Sequence, residues 1–153
     1  MRQTLPDDAH FVGELAEHEL TGVVIQCFYR VSDGLGFGFL EAVYRRALAL
    51  EMRERGLTIL VETPIDVCYR GVCVGSYRLD LVVEQRLAVE VKASETLPPT
   101  AKRQLLNYLR ATTLDVGLLL HFGPDAKFHR LVSPRLIARE RSRVRPAPPV
   151  RSG

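Results

Sequence analysis

The chain of 153 residues is 46% apolar and 25% charged, the balance of one soluble globular domain with a sizeable core. No apolar run approaches the length of a membrane span, and the polar start MRQTLPDDAH offers no apolar stretch for a secretory signal, so a cytoplasmic protein without membrane contact is expected. The net charge of +3 is uneven: from Arg135 onward six arginines meet one glutamate, while residues 1–134 are slightly acidic.

The expected organisation is a single domain over 1–134 and a basic Arg/Pro-rich tail over 135–153, unstructured apart from a helical turn or two. Such a tail can touch phosphates or simply be solvated.

Residues 13–31 carry apolar side chains at helical spacing: Leu15, Leu20, Val23, Val24, Cys27, Phe28 and Val31. SDGLGFG interrupts this pattern. A second helix is predicted from about Phe37 to Arg55, with a stripe of Leu40, Val43, Tyr44, Ala47, Leu48 and Leu50 and a stop at Gly56. From Thr58 the period changes to two. TILVETPIDVCYRG and VCVGSYRLDLVVE read as strands turning at Arg70-Gly71. That turn would let Cys68 face Cys73 as a reduced pair of small hydrophobes. With Cys27 the cysteine count is odd, and no CxxC or Cys/His cluster has metal spacing.

RLAVEVKA is a third strand, and a helix follows from about Pro99 to Ala111. The continuous apolar run DVGLLLHF fits a buried central strand, and KFHRLVS a last short one. The order α-α-β-β-β-α-β-β predicts one mixed sheet with helices packed on it, in the α/β or α+β class.

YRLDLVVEQRLAVEVKA, residues 77–93, carries the chemistry. With the turn centred on Gln85, Leu79, Leu81, Val83, Leu87, Val89 and Val91 share one face. The same register sets Asp80 opposite Glu90 and Arg78 opposite Lys92 on the other face. Two facing carboxylates repel, so a positive charge is required beside them. Arg78 and Lys92 can supply it on a solvated face, or a divalent cation can, since paired carboxylates suit Mg²⁺ or Mn²⁺. Lys92 is notable because the chain writes positive charge as eighteen arginines and only three lysines.

Asp80 followed by Glu90-Val91-Lys92 resembles the D-x(n)-(D/E)-x-K core of the PD-(D/E)xK nuclease superfamily. GFLEAVY, with Gly38, Glu41 and Tyr44, resembles the signature of the GxxExxY protein family, a branch of that superfamily. QLLNY, Gln104 to Tyr108, is similar to the QxxxY motif of RecB-like exonucleases. The resemblance covers roughly residues 15–133 and implies a restriction-endonuclease-like core that cleaves phosphodiester bonds of DNA or RNA with Mg²⁺ or Mn²⁺.

It also implies roles. Asp80, Glu90 and the carbonyl of Val91 would hold the metal, with Glu41 as a further acidic ligand, direct or through water. Lys92 would activate water or stabilise charge on phosphate, and Gln104 and Tyr108 would line the site. Plainer roles compete: Glu41 as a first-turn carboxylate favoured by the helix dipole, Tyr44 as core, and Gly38 as a helix start. Gln104 and Tyr108 can be ordinary helix–sheet contacts. The histidines have no useful ligand spacing. The alternative function is a catalytically silent or weakly active module that binds nucleic acid or a protein. The slightly acidic folded part, without a dense basic patch or an evident aromatic stacking stripe, favours that alternative. Retention of the repelling carboxylates favours the nuclease.

Overall fold

The computed structural model of the chain describes residues 17–144. Leu15 and the rest of the expected helix start, His10, and the tail beyond Val144 lie outside the described residues. The apolar spacing read in the sequence becomes α1 (His18–Leu35), which buries Leu20, Val24, Cys27, Phe28 and Val31. It ends at Gly36, whose N–H donates to the Ser32 carbonyl at 2.9 Å. The second helix, α2 (Glu41–Glu54), starts later than the expected Phe37. The cause is Gly36 and Gly38, at φ of 72° and 113°, which no helix accommodates.

β1 (Ile59–Tyr69) and β2 (Val72–Val83) form a long antiparallel hairpin. Arg70 and Gly71 turn it with φ of 51° and 76°, the left-handed pair of a type I′ turn. Cys68 does face Cys73 there, both exposed and free. β3 (Leu87–Lys92), α3 (Ala101–Ala111), β4 (Val116–Phe122) and β5 (Ala126–Val132) follow. The five strands lie in the order β1-β2-β3-β4-β5, antiparallel except for the β3–β4 pair that α3 connects. β4 sits inside the sheet and is buried at every residue, as its unbroken apolar run predicts.

The sheet's alternation sorts the core into two layers. Leu81, Val83, Val89, Leu118 and Leu120 pack under α1 and α2. Val82, Ala88 and Leu119 pack under Leu105 and Leu109 of α3. A side chain at Gly117 would meet Leu105 at 3.1 Å, so the glycine lets α3 approach β4.

The segment from Arg135, expected to begin with a helical turn or two, is helical over its described part: α4 spans Pro134–Val144. Its basic residues are used locally. Arg139 Nη2 lies 2.6 Å from Asp115 Oδ2, and Arg135 Nη1 donates to the Thr112 carbonyl at 2.7 Å, just past the end of α3. Those partners explain the helix: they fix its first turns to the α3–β4 corner. The result is a mixed α/β fold, a five-stranded sheet flanked by four helices. Among the described residues no helix is long and apolar enough to cross a membrane.

Candidate functional site

The β2–β3 ladder follows the expected register for three pairs, Val83 with Leu87, Val82 with Ala88, and Leu81 with Val89, and then stops. Past that point the carboxylates replace the backbone partners. The Asp80 N–H donates to Glu90 Oε1 at 3.1 Å, and the Val91 N–H donates to Asp80 Oδ2 at 2.8 Å. Each acid therefore satisfies a peptide group of the opposing strand, as buried backbone requires.

Two register expectations fail as a consequence. Arg78 has no ladder partner on β3, because the β2–β3 pairs end at Leu81 with Val89, short of the expected Arg78–Lys92 pair. Leu79 leaves the face of Leu81 and joins the α3-side layer. The strands separate where the acids intrude, so strict two-residue alternation does not carry through Asp80.

Asp80 and Glu90 are both buried. Burial and the neighbouring Asp80 carboxylate push the Glu90 carboxyl up to about 8, against the pull of the Asp80 N–H and of Lys92. The ion pair on Asp80 comes from a residue the motifs do not contain. Arg45 Nη1 lies 3.3 Å from Asp80 Oδ1, and its Nη2 lies 3.2 Å from Glu62 Oε1. Arg45 follows Glu41 by one helical turn, so the i, i+4 spacing on α2 was the signal that could have found it. Arg78 is exposed and makes no salt bridge among the described residues.

Glu41 opens α2, half-buried. Burial raises its carboxyl and Asp80 adds to this, while Lys92, Arg45 and the Ala93 N–H draw it down. Its electrostatic partners are thus those of the β2–β3 opening. The glycine and tyrosine of the same motif serve its placement. Gly38 has open space around its missing side chain, so its role is the backbone turn at φ 113°. Tyr44 is fully buried, stacks on Phe122 at 4.3 Å, donates to the Gly36 carbonyl and accepts the Phe39 N–H at 3.3 Å. It fastens the loop from which Glu41 enters the helix.

Tyr108 on α3 packs against Tyr77, and burial, Glu90, Tyr77 and Asp80 together raise its hydroxyl. Gln104, one turn earlier, is exposed and lines an adjoining cleft with Tyr108. Lys92 is half-buried and pairs in the β3–β4 ladder with His121. His121 Nε2 is in turn 2.8 Å from the Ser94 carbonyl, which holds the chain just after Lys92. Val91 points its side chain into the core and gives its N–H to Asp80.

Among the described residues no three or more His, Cys, Asp or Glu side chains are arranged to hold a metal ion by themselves. The residues still fit a hard divalent cation. Mg²⁺ is ordinarily held by one or two carboxylates, with waters and phosphate oxygens completing its shell. Asp80 and Glu90 form such a pair of oxygen donors, linked through the Asp80 N–H to Glu90 Oε1.

The model of the PD-(D/E)XK nuclease superfamily matches residues 18–131. Among solved structures, the crystal structure of SSO0001 is similar with a TM-score of 0.47 and 18% identity, covering 84% of this chain and 68% of that one. No curated protein matches the chain.

Proposed function

From its membership of the PD-(D/E)XK nuclease superfamily, to which this chain belongs, we propose that the protein is a metal-dependent nuclease of the GxxExxY branch, hydrolysing phosphodiester bonds in DNA or RNA. The observation that carries this reading is the opening of the β2–β3 ladder around Asp80 and Glu90, with Lys92 two residues along the same strand. Two buried carboxylates replacing regular backbone pairs serve stability poorly, because like charges are held together away from water. They make sense as a seat for a cation.

Asp80 and Glu90 would hold Mg²⁺ or Mn²⁺, with the Val91 carbonyl as a further oxygen donor and Glu41 acting through water. Bound there, the ion lowers the pKa of a coordinated water and offsets charge on the phosphate. Lys92 places a fixed ammonium where negative charge develops on the phosphate oxygens. Arg45 would hold the Asp80 carboxylate in place. Gln104 and Tyr108 flank the path of the strand from α3. The test is cleavage of single- and double-stranded DNA and RNA with Mg²⁺ or Mn²⁺, comparing wild type with Asp80→Asn. Cleavage by wild type, lost in the variant, supports the reading; cleavage that survives in the variant refutes it.

A second reading is favoured by Arg45, which already supplies a counter-charge to Asp80. In that case the protein binds nucleic acid or a partner without cutting. Metal binding with no cleavage of any of the four substrates would support it.

A further inference from the structure

The β1–β2 hairpin and α3 line a cleft of about 640 Å³. Its walls include Asp66 and Tyr77 from the hairpin and Gln104, Asn107, Tyr108 and Arg110 from α3. Tyr77 is 52% exposed, and its ring centroid lies 5.6 Å from that of Tyr108 at an interplanar angle of 51°. Tyr77 is thus exposed at the cleft, and Tyr108, which also lines it, is close enough to Glu90 and Asp80 for their charge to raise its hydroxyl. α3 carries Lys102, Arg103 and Arg110, all exposed, and no acidic residue; of the three, Arg110 lines the cleft. Sequence reading finds no stacking stripe because Tyr77 and Tyr108 meet only through tertiary packing.

We propose that this cleft receives an unpaired base of a single strand, stacked on Tyr77 at the edge of the Tyr77–Tyr108 pair, with the strand's phosphates along the basic face of α3. The inference rests on the nuclease reading, which it deepens by naming a single-stranded substrate. A cleft of this volume fits a ligand of nucleotide size. A duplex keeps its bases stacked inside and offers no free ring face to Tyr77, whereas every unpaired base does. Asp66, Gln104 and Asn107 provide acceptors and donors for a base edge.

The test uses the full chain in EDTA, so that binding is read without cleavage. The probes are a short oligothymidylate and a blunt-ended mixed-sequence duplex of two strands without a loop. The chain contains no tryptophan, so stacking on tyrosine is read directly as quenched tyrosine emission. Wild type should bind the single strand more tightly than the duplex, with quenching. Tyr77→Ala should weaken single-strand binding about tenfold or more, and Tyr77→Leu, which refills the same space without a π-face, should do the same. Tyr77→Phe should keep the affinity and lose part of the quenching. Wild-type affinity in both Tyr77→Ala and Tyr77→Leu, equal affinity for the two probes, or binding of neither would overturn the inference. The nuclease reading stands or falls separately, on cleavage by wild type against Asp80→Asn.

Discussion

The two ends of the β2–β3 hairpin are a few residues apart and built on opposite principles. At the turn end, Leu81, Val83, Leu87 and Val89 pair in register and bury their side chains completely. At the open end, Asp80 and Glu90 take over the hydrogen bonds of the missing ladder pair and hold two acids together inside the protein. The paired end accounts for stability; the open end works against it. That contrast is how a fold holds a functional site: the apolar pairs fix the register, and the register forces the acids together.

The largest effects should separate the two ends. Leu81→Ala is expected to destabilise the protein by about 2–5 kcal/mol, as for other fully buried leucines, measured by urea unfolding. Glu90→Gln should do the reverse. It keeps an oxygen for the Asp80 N–H, needs no proton uptake on folding, and should raise the unfolding midpoint near neutral pH. The same substitution should lower cleavage by about a hundredfold or more, as when one electrostatic group of an active site is lost. A Glu90→Gln protein that is less stable and fully active would contradict this division.

The hairpin shows how far sequence reading reaches. Its turn end was legible, because period-two alternation and burial settle the pairing of Leu81 with Val89. The partners of Arg78 and Leu79 were not, because the ladder breaks where Asp80 substitutes a side-chain oxygen for a backbone one. Asp80, Glu90, Lys92 and Glu41 were legible as residues through motif spacing. Arg45 was not read as the partner of Asp80, although its place one turn after Glu41 was visible. Tyr77 and Tyr108 meet only because the hairpin folds over α3, which no local pattern encodes. The helix of Arg135 and Arg139 depends on Asp115 and Thr112, contacts invisible to a composition that reads as a basic tail.

The pH dependence sharpens the comparison further. The Glu90 carboxyl is raised from 4.5 to about 8 in the folded protein. Between those values the native state retains a proton that the unfolded chain has released, so stability falls as pH rises through that window. Unfolding in EDTA across the window should show this decline in wild type and a flatter profile in Glu90→Gln; Leu81→Ala should shift the whole profile down without changing its slope.

The smallest effect concerns the support of the open end. Tyr44→Phe keeps the stacking on Phe122 and loses the bonds to the Gly36 carbonyl and Phe39 N–H. A loss of about 0.5–1.5 kcal/mol is expected, with reduced cleavage if the loop no longer presents Glu41. Unfolding and cleavage measured on the one variant would separate the two consequences.

The central claim, that Asp80 and Glu90 together seat a divalent cation, is tested most directly by calorimetric titration of Mn²⁺ into wild type and Asp80→Asn at the same pH. Saturable binding in wild type that is lost in Asp80→Asn is the predicted result. Binding of undiminished affinity and stoichiometry in Asp80→Asn would contradict it.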